Sequence, residues 1–108
     1  MSAELEYICV TILGRVDEPE AKFAARLSEF WSDMLRELPD EFERVYAEAI
    51  AFEEVDGRVS RQYLVEAELA DLLEARLRQA RLDFLPIDRD DRYSKYEATP
   101  SEWMQIEH

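Results

Sequence analysis

The sequence predicts an α+β domain in which a four-stranded antiparallel sheet carries two helices on one face. Three observations lead there: one apolar run with strand periodicity, two longer stretches with helical periodicity, and an Asp-Gly pair midway between two alternating segments. A chain of 108 residues fits a single domain, and a hydrophobic fraction of 47% suffices for a core despite the charge.

The first strand is expected over residues 6–13, EYICVTIL. Ile8, Val10 and Ile12 alternate on one side, and Tyr7, Cys9, Thr11 and Leu13 on the other. Both faces are largely apolar, as in a central strand with cover on each side. Gly14 ends the run. A helix should follow, with Asp17 as N-cap, Pro19 in the first turn and Glu20 as capping-box partner. Phe23, Leu27, Phe30, Trp31, Met34 and Leu38 form its apolar stripe, and Pro39 stops it.

Residues 51–65, AFEEVDGRVSRQYLV, admit two readings. As helix, residues 40–50 would start at an Asp40/Glu43 capping box and Ser60 would cap the next helix. As hairpin, Asp56-Gly57 is a preferred type I′ turn pair. Pairing outward sets Glu54 opposite Val59, Phe52 opposite Arg61, Ile50 opposite Tyr63 and Glu48 opposite Val65. One face then holds Tyr46, Ile50, Phe52, Val59, Tyr63 and Val65; the other holds Ala47, Ala49, Ala51, Val55 and Leu64. The first strand needs partners for its buried backbone groups, and only the hairpin supplies enough of them. The hairpin is therefore preferred; the alternative is a mostly α-helical chain with a small two-stranded element.

A second helix is expected over residues 67–81, with Leu69, Leu72, Leu73, Leu77 and Ala80 inward. LDFLPI, residues 82–87, reads as an edge strand because Pro86 cannot donate a ladder bond. The resulting β-α-β-β-α-β order resembles the ferredoxin-like sandwich, a resemblance of fold alone. Residues 1–88 would form this domain and residues 89–108 a C-terminal extension. In the extension, Thr99, Pro100 and Glu102 give a helix-start signal, so a short helix would display Trp103 and Met104.

Charge bounds the function. The chain holds 26 acids and 13 bases, a net −13. Residues 1–54 account for −9 of it and residues 55–108 for −4. Nucleic-acid binding needs clustered Lys and Arg, so neither it nor an anionic membrane surface is expected as a partner. A basic protein would be attracted, and salt would weaken that attraction. No apolar run approaches the roughly 20 residues of a membrane span, and no signal peptide is read at the N-terminus. Cys9 is the single cysteine, so no internal disulfide forms, which suits a cytoplasmic location.

Chemistry finds little purchase. The only histidine is His108, the last residue, whether native or a tag remnant. A Ser-His or Cys-His pair is therefore not expected, and a zinc site of Cys and His is ruled out by count. An EF-hand alignment on Gly57 puts Phe52 and Tyr63 where the first and last ligands belong, so it fails. Asp88, Asp90 and Asp91 read as a solvated acidic turn between arginines. Gly14 and Gly57 lie in no phosphate loop. Arg76, Arg78, Arg81, Arg89 and Arg92 read as helix-end and surface charges, with an anion-binding patch as the functional alternative. No catalytic residue, metal ligand or cofactor is assigned.

The remaining signal is apolar. With both helices on one face, the other face of the sheet would carry Tyr7, Cys9, Thr11, Leu13, Ala47, Ala49, Ala51, Val55 and Leu64. Such a face needs cover. A second copy, the tail through Tyr93 or Trp103, or another protein would supply it. The expected interaction residues are Tyr7, Leu13, Ala49, Ala51, Leu64, Tyr93, Trp103 and Met104. The leading expectation is a non-catalytic, acidic protein-protein interaction module, of the inhibitor or immunity type, binding a basic partner. The other is a dimeric α+β-barrel-like ligand-binding protein or enzyme, whose candidate groups would be Tyr7, Tyr63 and Arg61.

Overall fold

A computed structural model describes residues 5–94, Glu97 and residues 101–106. The fold is α+β, an antiparallel sheet with three α-helices among the described residues. In chain order these are β1 (Tyr7–Leu13), α1 (Glu20–Glu37), the short α2 (Pro39–Phe42), β2 (Val45–Ala49), β3 (Glu53–Val55) and β4 (Arg58–Glu66). After a 3₁₀ turn (Ala67–Leu69) come α3 (Ala70–Gln79), β5 (Asp83–Phe84), β6 (Arg92–Tyr93) and β7 (Trp103–Gln105).

The Asp56-Gly57 question resolves as a hairpin. Val55 faces Arg58 across the turn, and both turn residues have positive φ, 51° at Asp56 and 76° at Gly57. That is the demand of a type I′ turn, which asparagine, aspartate and glycine meet at least cost. β4 then pairs with β1 along its whole length, from Tyr7 opposite Glu66 to Leu13 opposite Ser60.

Among the described residues seven strands form the sheet, rather than the four expected, but they occupy five lanes. β5 and β6 share the outer edge of β1, at its Leu13 and Tyr7 ends. β2 and β3 share the outer edge of β4. β7 adds outside β2, with Ala49 opposite Trp103 and Ala47 opposite Gln105. The expected short helix at Trp103 and Met104 is therefore a strand; Thr99 and Pro100, which carried the helix-start signal, lie outside the described residues.

Breaks in two lanes account for two of the three additional strands, and β7 is the third. The chain leaves the sheet at residues 50–52, and a further bulge falls between Val45 and Ala47. The expected Glu54–Val59 pair is present, but Glu48, not Ile50, faces Tyr63, and Val45, not Glu48, faces Val65. Each extra residue shifts the pleat, so side chains change faces. Tyr46 leaves the predicted core face and stacks on Tyr7 at 4.6 Å, and Ile50 is 53% exposed.

The main core lies between the sheet and helices α1 and α3. Ile8, Val10 and Ile12 of β1 and Tyr63 and Val65 of β4 meet Phe23, Leu27, Phe30 and Met34 of α1 and Leu73 and Leu77 of α3. Leu72, predicted inward, is on the exposed side, and Ala70 takes a buried place instead. Helix α1 also starts differently from expectation. Asp17 takes φ 61° in a turn and caps nothing; Pro19 is the N-cap, in extended conformation, without a side-chain cap bond. Glu18 holds this turn instead. Its carboxylate accepts from the Arg15 N–H at 2.9 Å and from Arg26 at 2.7 and 2.9 Å. The hydrogen bonds from Arg26 are the main cause of its lowered pKa. Leu38 leaves the helical conformation before Pro39, with φ −135° and ψ 64°, which ends α1 and opens α2. Gly14 marks a close approach, since a Cβ there would lie 2.6 Å from Cγ1 of Val59.

Candidate functional site

The second face of the sheet carries a small aromatic cluster. Tyr7, Ala47 and Leu64 are its buried members, with Cys9, Tyr46, Tyr93 and Trp103 packed around them. Tyr93 arrives on β6 at one edge and Trp103 on β7 near the other, so two side chains of the C-terminal extension contribute to the cover. Tyr7, Leu13 and Leu64 are thus buried within the single chain. Ala49, Tyr93 and Trp103 are half-buried, and Ala51 and Met104 are exposed. Burial raises the Tyr7 phenol, with Glu66 adding to the effect, and burial likewise raises the Cys9 thiol. A thiol held neutral is a packing group rather than a nucleophile. Tyr93 donates to Asp91 at 2.9 Å, which holds its proton more firmly.

The groups named for a catalytic alternative do not converge. Tyr7 belongs to this second face, whereas Tyr63 points into the helix-covered core. Arg61 is engaged structurally: Nε donates to the Ala49 carbonyl at 2.9 Å, and the guanidinium lies 4.6 Å above the Phe52 ring. It pins down the break at residues 50–52. Among the described residues, no cluster of three or more acidic, Cys or His side chains is arranged to hold a metal ion. Asp88 accepts from the Asp90 N–H at 3.0 Å, forming a local turn.

The arginine group is largely committed to ion pairs. Arg76 binds Glu37 between α3 and α1, Arg78 binds Glu74, Arg89 binds Asp71 and Glu74, and Arg92 binds Glu6. Arg58 bridges the Gly14 carbonyl and Asp83. Arg81 has no such partner among the described residues, and its φ is 58°. The reason is the end of α3. Leu82 N–H donates to the Leu77 carbonyl at 3.0 Å and Arg81 N–H to the Arg78 carbonyl at 3.1 Å, a Schellman cap with Arg81 in the left-handed position. Glycine is the residue that fits there, so Arg81→Gly should raise stability by about 0.5–1 kcal/mol, read from the urea midpoint. A drop in midpoint would show that the Arg81 side chain contributes contacts of its own.

Acidic charge is compensated less evenly. From Glu37 through Asp56, both included, the chain has eight acids and one base, Arg44. Asp40, Glu41 and Glu43 on and beside α2, and Glu53, Glu54 and Asp56 at the hairpin, have no ion-pair partner among the described residues. The last three flank the outer edge of β3, with which no described strand pairs. Beside that edge, where β7 ends, Ala49, Ile50, Ala51, Gln62, Glu102 and Trp103 line a shallow groove of about 330 Å³. Sequence reading missed this arrangement because it placed the second strand in one unbroken piece and Trp103 in a helix. Two adjacent glutamates on a short alternating segment were the available signal for a guarded edge. No protein-family model, no curated protein and no solved structure matches the chain, so its function rests on this arrangement of residues.

Proposed function

We propose that this protein is a non-catalytic, acidic interaction module that binds a basic protein partner, in the manner of an inhibitor or immunity-type protein. The observation that carries the reading is the uneven compensation of charge. Most arginines are engaged in intramolecular pairs, while the acids of α2 and of the hairpin have no ion-pair partner among the described residues. Charges left solvated steer a complementary surface from a distance and set the rate of encounter more than the final affinity. The half-covered second face gives less support to a sheet-to-sheet dimer than a bare one would, because Tyr93 and Trp103 already pack there. Within the same proposal the scaffold reads as an elaborated ferredoxin-like plan. An interior β1 and a β5 at the edge support that reading, with β6 and β7 as additions.

Salt tests the function. Raising the salt from about 0.01 M to about 1 M shortens the Debye length from about 30 Å to about 3 Å. Affinity capture with the tagged chain should retain basic proteins at low salt and release them at high salt. Lysine at positions 40, 41, 43, 53, 54 and 56 together should abolish the capture. Retention indifferent to both salt and charge reversal would overturn the reading.

A further inference from the structure

We propose that the open outer edge of β3 is a docking site for an extended, lysine- or arginine-bearing segment of another protein, which adds a strand in line with β7. This rests on the reading of an acidic module and names the surface that does the binding.

Backbone geometry comes first. Val55 and Arg58 close a two-residue hairpin turn, so they form a hydrogen-bonded pair, as do Glu53 and Ser60. Antiparallel pairing alternates, so Glu54, opposite Val59, turns its own N–H and C=O outward. Val59 shows the same alternation on its side of the hairpin: its carbonyl points away from β3 and accepts from Gly14 N–H at 2.6 Å. The outer edge of β3 thus presents an unused donor and acceptor at Glu54, among the described residues.

The same lane already accepts a strand upstream. β7 pairs with β2, and the Ile50 N–H donates to the Glu102 carbonyl at 3.1 Å, where that pairing stops. An incoming strand would start where β7 leaves off. The groove at that junction, with exposed Ile50 and half-buried Trp103 at its sides, suits an apolar side chain of the incomer.

Charge selects the occupant. Glu53 and Glu54 on a strand edge protect it from pairing with another copy, since glutamates would face glutamates. A strand bearing Lys or Arg at those places meets attraction instead, so the device that rejects self-association favours a cationic partner. Strand addition takes its affinity from main-chain hydrogen bonds and its choice of partner from side chains.

The test uses the whole chain and a short capped peptide of alternating lysine and valine. Controls are the same peptide with glutamate for lysine, and with every backbone nitrogen methylated. At low salt the lysine peptide should shift the amide resonances of Phe52 and Glu54 most, and methylation should weaken binding at least about tenfold. Glu54→Lys, with its amide spectrum otherwise native, should weaken it similarly. Equal binding of the methylated peptide would overturn edge docking while leaving the acidic-module reading standing. No binding of the lysine peptide at low salt would overturn both. Binding of the glutamate peptide, or edge-to-edge dimers of the chain alone, would make the edge a different kind of site and refute the proposal.

Discussion

An alanine at position 23 is expected to cost about 3–5 kcal/mol of folding stability, the range for emptying a buried aromatic site. Phe23 is fully buried in the core between α1 and the sheet. Its ring meets Phe52 edge to face at 6.1 Å, and Phe52 in turn lies under the Arg61 guanidinium. The substitution therefore opens a cavity and also loosens the segment that leads into β3. Domains have only about 5–15 kcal/mol in total, so this one change removes roughly a fifth of it at the least. Urea unfolding should show a lower midpoint with an unchanged slope. Leu72→Ala, on the exposed side of α3, is the control and should cost less than about 1 kcal/mol. If the two variants lost equal stability, Phe23 would not be the core anchor described. Hydrogen exchange offers a second readout. Protection at Ser60, whose hydroxyl donates to the Glu53 carbonyl at 3.0 Å, should fall in Phe23→Ala as β3 detaches from β4.

Legibility in the sequence followed the strength of the local signal. β1 was readable because seven residues alternate cleanly with apolar side chains on both faces, and it proves to be paired on both edges. The hairpin was readable because Asp-Gly meets a backbone demand that few other pairs meet. The stripe of α1 placed Phe23, Leu27, Phe30 and Met34 inward without knowledge of their neighbours. What failed was register. Ile50 and Phe52 obey strand alternation, yet a bulge at Tyr46 and the break at residues 50–52 cost nothing recognisable in composition. They are set by tertiary partners: Arg61 reaching the Ala49 carbonyl, Tyr46 stacking on Tyr7, and β7 arriving from 54 residues away to bond Ala49. Asp17 failed for a similar reason. A capping pattern competes with a turn, and the partly buried Glu18–Arg26 pair tips the balance toward the turn. Surface acids were legible as a total, but the edge they flank appears only once β2 and β3 are separate strands.

Stability should decline between about pH 10 and pH 12, and Tyr63→Phe should remove the largest single part of that decline. Tyr63 is 1% exposed, and burial, the leading cause, pushes its phenol up from 10.0 to about 12. Glu48 adds to the rise, while Trp31 and Arg61 oppose it. The sign follows from linkage. The folded chain holds the proton more tightly than the unfolded chain, so the contribution is complete below pH 10 and disappears as pH climbs through 12. A gap of that size corresponds to roughly 2–3 kcal/mol. Tyr7 and Tyr93 are raised as well, so some alkaline loss persists in the variant. At neutral pH the cost of Tyr63→Phe should stay within about 1 kcal/mol, because the indole N–H of Trp31 lies near the hydroxyl without completing a hydrogen bond. Urea midpoints for both proteins at neutral pH and near pH 11 give the comparison; parallel declines would place the titrating group elsewhere. The result also bears on function. A phenol that keeps its proton to about pH 12 supplies no base at physiological pH, so Tyr63 acts as the aromatic anchor beneath Trp31, 4.9 Å between ring centres. The strand that carries it, β4, is the one to which β3 is paired, so the packing of Tyr63 also bears on the strand beside Glu54.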